Sequence, residues 1–91
     1  MINVNLPQLF PTMTQKDGLT IEKWYVHEGD VIQPGDLLVS IEGPPGFFDI
    51  PTPPTMATPC RVIRIVTRQG ESVHLNDLLL ILQPEEQTAE Q

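Results

Sequence analysis

Short apolar segments alternate with short polar segments along the whole chain, and the apolar segments have the length and composition of β-strands. They are rich in β-branched, aromatic and aliphatic residues, whereas Gly, Pro, Asn and Asp fill the intervals. No longer window keeps the spacing of an amphipathic helix, and the 10 prolines oppose long helices. The pattern therefore predicts an all-β protein with its clearest strands at 19–26, 37–42, 47–51, 61–67 and 78–83.

The chain also contains an internal duplication. Residues 21–42 align with residues 62–83 without a gap, at a constant offset of 41. A Gly-acid pair and an Asp-Leu-Leu motif recur in both copies, which indicates shared turns rather than catalytic acids. Upstream, residues 3–7 parallel residues 47–51, with a connecting loop three residues shorter in the second copy. Neither half can bury its own apolar face, so we expect the halves to close on each other about a pseudo-twofold axis.

Composition narrows the classes of partner and compartment. The chain has 91 residues, which suits one small domain, and a net charge of −7. The five Lys and Arg residues form no basic stripe, so we expect no binding to nucleic acid or to membranes. Cys60 is the single cysteine, and the amino terminus has neither a charged n-region nor a long apolar run. We expect a cytoplasmic protein and, in the absence of a contrary signal, a monomer.

Several motifs together resemble a known family, the lipoyl and biotinyl attachment domains. The similarity is greatest to lipoyl domains of the acyltransferase components of 2-oxo acid dehydrogenase complexes. It covers residues 1–83 and implies a flattened β-barrel (a barrel-sandwich hybrid) of two four-stranded antiparallel sheets with pseudo-twofold symmetry. Residues 84–91 are acidic with no apolar anchor, and we expect them to form a disordered tail. The motifs are PTMT (11–14), IEKW (21–24), EGD (28–30), GDLL-x-x-IE (35–42), DIPTP (49–53), GESV (70–73) and NDLLLIL (76–82).

The departure from this family lies at the tip of the central hairpin. Domains of the family carry their cofactor on a lysine there, but this chain has Gly43, Pro44, Pro45 and Gly46, with Pro45 at the lysine position. Lipoylation and biotinylation form an amide with a primary amine, which proline lacks, so we expect no cofactor. The turn could place Pro45-Gly46 at the centre of a type II turn, or Pro45 at the third position after a cis bond.

Two lysines remain as alternative attachment points. Lys23 lies in the predicted strand 19–26, and Lys16 lies in a loop that, by the resemblance, runs near the hairpin. A carrier modified at Lys16 is thus an alternative reading, although solvated surface lysines are the simpler interpretation.

The same end of the molecule is the predicted partner-binding surface. Strand alternation points Phe47 outward and Phe48 into the core, where the family has a buried Met or Val. Phe47 either covers the turn or offers an apolar contact to a partner. The loop at 52–59, with an apparent insertion at 54–59, is predicted to be an extended, polyproline-like surface segment. The candidate partner-binding residues are Gly43, Pro44, Pro45, Gly46, Phe47, Met13 and Thr14.

The sequence gives no support for a metal site or a catalytic site. His27 and His74 are not repeat partners, and neither has a second ligand at metal spacing. Cys60 is interpreted as a small buried hydrophobe. No nucleophile, phosphate-binding or paired-carboxylate motif is present, which favours a non-enzymatic protein.

Three functions remain. The preferred one is an adaptor or structural module without acyl groups, bound to proteins of a multienzyme acyl-transfer or dehydrogenase complex. The second is a genuine carrier modified at Lys16. The third is a structural module related to the lipoyl-like domains of membrane-fusion proteins.

Overall fold

The chain folds into eight β-strands in two four-stranded antiparallel sheets, as seen in a computed structural model that describes residues 1–85. One sheet has the order β1-β8-β6-β3 and the other β5-β4-β2-β7. This confirms the all-β prediction and is consistent with the flattened barrel-sandwich architecture. Within the described residues no helix is present, and so none is long and apolar enough to cross a membrane. The strands are β1 (Ile2–Asn5), β2 (Leu19–Trp24), β3 (Val31–Ile32), β4 (Leu37–Gly43), β5 (Gly46–Pro51), β6 (Cys60–Ile65), β7 (Ser72–Val73) and β8 (Leu78–Pro84).

The core lies between the sheets and is built from equivalent residues of the two halves. Leu38, Val39 and Ile41 of β4 are each 0% exposed, and so are their repeat partners in β8. Each aliphatic side chain removed from water in this way contributes about 1.5–3 kcal/mol to folding. The shared Leu-Leu motif of the two copies is therefore a core motif.

Main-chain hydrogen bonds show the pseudo-twofold relation directly. The amide of Gly29 donates to the carbonyl of Val62 at 2.8 Å, and the amide of Gly70 donates to the carbonyl of Ile21 at 2.8 Å. Both donors and both acceptors differ by the offset of 41, so each half holds the turn of the other. Gly29 and Gly70 have φ values of 94° and 88°, which only glycine adopts without strain.

The acids of the repeated turns are structural, as the sequence predicted. The Asp30 carboxylate accepts the amide of His27 at 2.8 Å, and the equivalent Glu71 accepts the amide of Arg68 at 2.6 Å. Asp36 and Asp77 cap the second turn of each half in the same way, at 2.8 Å.

The predicted equivalence of residues 3–7 and 47–51 is two residues out. Val4 pairs with Leu80 in β8, and Ile50 pairs with Val39 in β4. Since Val39 and Leu80 are repeat partners, Val4 corresponds to Ile50. The connecting loop is therefore five residues shorter in the second half, not three. The sequence alignment followed a shared aliphatic-Pro dipeptide, whereas the structure follows the pairing of the strands.

The loop at 52–59 lies at the surface, as predicted, but it is not extended along its whole length. Met56 is 4% exposed, and its amide donates to the carbonyl of Pro53 at 2.9 Å, which closes a turn. Met13 is 3% exposed and its amide donates to Phe10 at 3.0 Å in the same manner. A Pro-Thr-Met tripeptide thus builds the same buried plug in each half, and the apparent insertion at 54–59 is the second copy of the first loop.

The two described residues after position 83 are attached to the sheet. β8 continues to Pro84, and Glu85 forms an ion pair with Arg61 at 2.7 Å. The Glu85 amide also donates to the carbonyl of Pro59 at 3.0 Å. The rest of the predicted tail, residues 86–91, lies outside the described residues.

Candidate functional site at the hairpin end

The β4–β5 hairpin ends in a loop of two prolines. Its last pair is Gly43 with Gly46, which leaves Pro44 and Pro45 at the two central positions of the turn. No peptide bond is cis in residues 1–85, which excludes the predicted arrangement with a cis bond. The Gly43–Gly46 pair places the turn one residue before the predicted type II turn. Gly46, the first residue of β5, has a positive φ of 136°. Because the β4–β5 pairing continues up to Gly43 and Gly46, Pro44 and Pro45 form the tip of the hairpin.

Gly43 lies where the hairpin packs against the body of the domain. A Cβ atom at this position would lie 3.1 Å from Cδ2 of Leu19 and 3.7 Å from Cε2 of Phe48. The base of the tip is therefore a close approach that only glycine fits without movement of its neighbours. At its base the hairpin is held to β2 by the antiparallel pairing of β4 with β2.

The two phenylalanines alternate across β5 as predicted. Phe47 is 64% exposed, whereas Phe48 is half-buried. Phe48 stacks on Phe10, with ring centroids 6.0 Å apart and an angle of 22° between the planes. The prediction of a fully buried Phe48 is thus too strong, because the stack lies at the edge of the core. The ring of Phe10 covers one side of Phe48 and joins the loop before β2 to the hairpin.

Of the two predicted contact residues in the PTMT loop, one is exposed and the other is buried. The Met13 side chain is buried, and its sulfur accepts the amide of Leu9 at 3.3 Å, so its prediction as a surface contact is wrong. Thr14 is exposed, and its hydroxyl accepts the amide of Lys16 at 3.3 Å. The Thr14 amide donates to the carboxylate of Asp17 at 2.7 Å. Thr14 and Asp17 therefore order a surface turn beside the buried Met13.

Both lysines lie on the surface. Lys16 belongs to the ordered turn of residues 14–17, and Lys23 lies in β2 with Nζ 5.0 Å from the ring centroid of Tyr25. The tip of the hairpin itself presents no amine, since Pro44 and Pro45 occupy it.

A side-chain hydrogen bond that the sequence did not indicate lies on the outer face of the sheet that contains the β4–β5 hairpin. The Tyr25 hydroxyl donates to Oδ1 of Asp49 at 2.8 Å. This hydrogen bond, then partial desolvation and the charge of Asp49, raise the pKa of the Tyr25 phenol. Tyr25 follows the end of β2 and Asp49 lies in β5, so the pair spans β4 between them. A distance of twenty-four residues separates the two in sequence, which leaves no local signal.

The other candidate groups have structural roles. Cys60 is 0% exposed, and burial raises the pKa of its thiol, which confirms its interpretation as a buried residue. Nδ1 of His27 lies 3.8 Å from Asp30, and Nδ1 of His74 lies 3.7 Å from Asp77. No cluster of three potential metal ligands occurs within residues 1–85.

An open concavity of about 300 Å³ lies on the pseudo-twofold axis, away from the hairpin tip. Two of its lining polar groups have partners within the fold: Glu28 accepts the amide of Ile65 at 2.8 Å, and the indole of Trp24 donates to the carbonyl of Thr67 at 2.9 Å. The two copies of the repeat line the concavity equally. Its lining consists of three pairs at the offset of 41: Trp24 with Ile65, His27 with Arg68, and Glu28 with Gln69.

Two characterised proteins are similar to this chain, although no protein-family model matches it. One is the dihydrolipoyllysine-residue acetyltransferase component of the pyruvate dehydrogenase complex of Zymomonas mobilis, 41% identical over 51 residues, which are 56% of this chain. The other is the same component from Rhizobium meliloti, 32% identical over 85 residues, which are 92% of this chain. The matches span 11% and 17% of those relatives' lengths. Together with the fold, these similarities support a relationship with lipoyl domains.

Proposed function

We propose that this chain is a lipoyl-like module that carries no acyl group and binds a protein partner of a 2-oxo acid dehydrogenase complex. The observation that carries the proposal is the Pro44-Pro45 turn at the tip of the β4–β5 hairpin. In the family that the sequence resembles, this tip holds the attachment lysine. Here it offers no primary amine, so the amide to lipoate cannot form at this place.

Rigidity of the tip supports a role in recognition. Two adjacent prolines fix their own φ angles, and the β4–β5 pairing continues to Gly43 and Gly46 at the base of the loop. A loop that is already ordered loses little conformational entropy when a partner docks on it. A carrier, by contrast, needs a long mobile side chain that reaches into other active sites.

An apolar side chain next to this rigid tip supports the same role. Phe47 is the most exposed aromatic residue described, at 64%, and it directly follows Gly46. Exposed aromatic side chains on firm backbone are frequent binding hot spots. Phe47 is therefore the residue on which partner binding should depend most.

Intact-mass measurement tests the absence of acyl carriage. The purified protein, incubated with lipoate, ATP and a lipoate ligase, should keep its unmodified mass. The double variant Pro44→Asp/Pro45→Lys serves as the positive control and should become at least partly lipoylated. Gly46 is kept in this variant because its φ of 136° strains any other residue. Modification of the unaltered protein at Lys16 or Lys23 would instead support the carrier reading.

Direct binding tests the adaptor role. The immobilised protein is exposed to purified pyruvate dehydrogenase complex from Zymomonas mobilis, the source of the relative that is 41% identical. We expect saturable binding that Phe47→Ser weakens about tenfold or more, since loss of an interface anchor costs roughly 1–3 kcal/mol. Absence of binding by the unaltered protein contradicts the proposed partner.

A further inference from the structure

The acids of this chain divide into two groups by what their carboxylates contact. Seven acids of the described residues are committed to the fold. Their carboxylates accept backbone amides or, in one case, pair with Arg61: Asp17, Glu28, Asp30, Asp36, Glu71, Asp77 and Glu85. The three other acids of residues 1–85 are Glu22, Glu42 and Asp49, and all lie in one sheet, on β2, β4 and β5.

Two of these acids flank Phe47 on the outer face of that sheet. Glu42 is the direct cross-strand partner of Phe47, and Asp49 lies two residues further along β5. Residues two apart on a strand share a face, and so do direct cross-strand partners. All three side chains are exposed, so Phe47 has one carboxylate beside it on β4 and another two residues along β5.

Asp49 is held in place for this arrangement. Its Oδ1 accepts the hydroxyl of Tyr25 at 2.8 Å, while Oδ2 forms no hydrogen bond within residues 1–85. Glu42 likewise has no hydrogen bond or ion pair there. Lys23, which pairs across from Ser40, directs its Nζ to the ring of Tyr25 and not to a carboxylate. Within residues 1–85, this face thus presents two carboxylates without an ion-pair partner beside an exposed aromatic ring.

We infer that this acidic aromatic patch, defined as Phe47, Glu42, Asp49 and Tyr25, recognises an arginine side chain of the protein partner. The inference rests on the proposed function and names the chemistry of its contact. A planar guanidinium stacks on the ring of Phe47, where the π face attracts a cation. Its donors point outward in a rigid fork and pair with the carboxylates on both sides.

The geometry favours arginine over lysine. Glu42 and Asp49 are diagonal neighbours on adjacent strands, a relation that separates positions by about 7–8 Å. A guanidinium has donors on three sides and can reach both carboxylates while it covers the ring, whereas an ammonium is a compact point charge. The net charge of −7 also draws a cationic partner surface toward the domain.

Three variants test the inference against the same purified pyruvate dehydrogenase complex. Glu42→Gln and Asp49→Asn each remove one charge with little change of shape, and Asn at position 49 can still accept the Tyr25 hydroxyl. We expect a loss of affinity of roughly tenfold for each, and a shallower dependence on salt concentration for the pair combined. Glu90→Gln, which removes the same charge outside the described residues, should leave affinity within about twofold.

Chemical modification of the complex identifies the partner group. Treatment with an arginine-specific dicarbonyl should abolish binding, whereas acetylation of its lysines should not. Unchanged affinity of Glu42→Gln and Asp49→Asn, combined with a loss in Phe47→Ser, overturns this inference and leaves the proposed function intact. Loss on lysine acetylation alone also overturns it. Absence of binding by the unaltered protein overturns both.

Discussion

Phe10 and Phe48 stack with their ring centroids 6.0 Å apart and so connect the loop before β2 to the β4–β5 hairpin. The neighbouring residue on the same strand, Phe47, is 64% exposed. One phenylalanine of the pair 47–48 therefore packs within the fold, and the other faces solvent.

This division predicts opposite outcomes for two serine substitutions. Phe48→Ser should lower the free energy of unfolding by about 2–4 kcal/mol, because it removes the stack on Phe10 and leaves a polar group at a half-buried site. Phe47→Ser should change it by less than about 0.5 kcal/mol, as most exposed positions do. Thermal and urea unfolding of the two variants measure both values. The reverse ranking would show that β5 is shifted by one residue.

The repeated Pro-Thr-Met plug predicts a pair of matched effects. Met13 and Met56 are 3% and 4% exposed and occupy equivalent turns of the two halves. Met56→Ala should destabilise the domain by about 2–4 kcal/mol, similar to Met13→Ala, because each leaves a cavity in the core. Urea unfolding gives the two values. A cost near zero for Met56→Ala would restore the picture of a surface insertion at 54–59.

The success and failure of the sequence-based predictions have separate physical origins. The repeat at offset 41 was readable because its core leucines and turn glycines obey the same local rules in both halves, as Leu38 and Leu79 do. The second buried methionine turn also has a sequence signal, because Pro-Thr-Met occurs at 11–13 and again at 54–56. The neighbouring prolines nevertheless led to the prediction of an extended loop. Burial of Met56 decided otherwise.

Two further features had no local signal. The register of β1 depends on its pairing with β8, which is distant in sequence, so a shared dipeptide misled the alignment by two residues. The Tyr25–Asp49 hydrogen bond forms across β4, and only the assembled sheet brings its partners together. The hairpin was predicted from its two flanking strands, but its turn lies one residue earlier than the predicted type II turn, because the β4–β5 pairing ends at Gly43 and Gly46.

Burial of Cys60 predicts low thiol reactivity. Its pKa is raised from the ordinary 9.0, first by desolvation and then by the charge of Glu85. Alkylation of the native protein should therefore be much slower than that of the urea-unfolded protein at the same pH. Because the folded pKa is the higher one, this group's contribution to stability is complete below pH 9.0 and is lost as the pH rises through the folded value. Cys60→Ala should remove this alkaline component of the stability profile.

Gly43 and Gly46 predict different costs for the same substitution. Gly43→Ala places a Cβ atom 3.1 Å from Leu19, whose side chain must shift, and we expect a loss of about 1–2 kcal/mol. Gly46→Ala meets no atom within 4 Å but retains a φ of 136°, so its cost of about 1–3 kcal/mol comes from the backbone. Truncation of Leu19 to Ala separates the two mechanisms. It should relieve Gly43→Ala and leave the cost of Gly46→Ala unchanged.

The hydrogen bond between Tyr25 and Asp49 predicts a measurable shift in the titration of the phenol. Tyr25 is the single tyrosine of the chain, so the ultraviolet absorbance of tyrosinate reports it alone. Its pKa should lie above the ordinary 10.0, because ionisation breaks the hydrogen bond to Asp49 and places two negative charges together. The bond therefore contributes to stability below pH 10.0, and that contribution is lost as the pH rises through the folded pKa. Asp49→Ala should return the pKa toward 10.0, whereas Asp36→Ala, which removes an acid whose carboxylate accepts the Gln33 amide, should leave the raised value in place. A normal phenol pKa in the unaltered protein would show that Tyr25 does not hold Asp49 in place. The proposed arginine contact would then lose one of its two carboxylates.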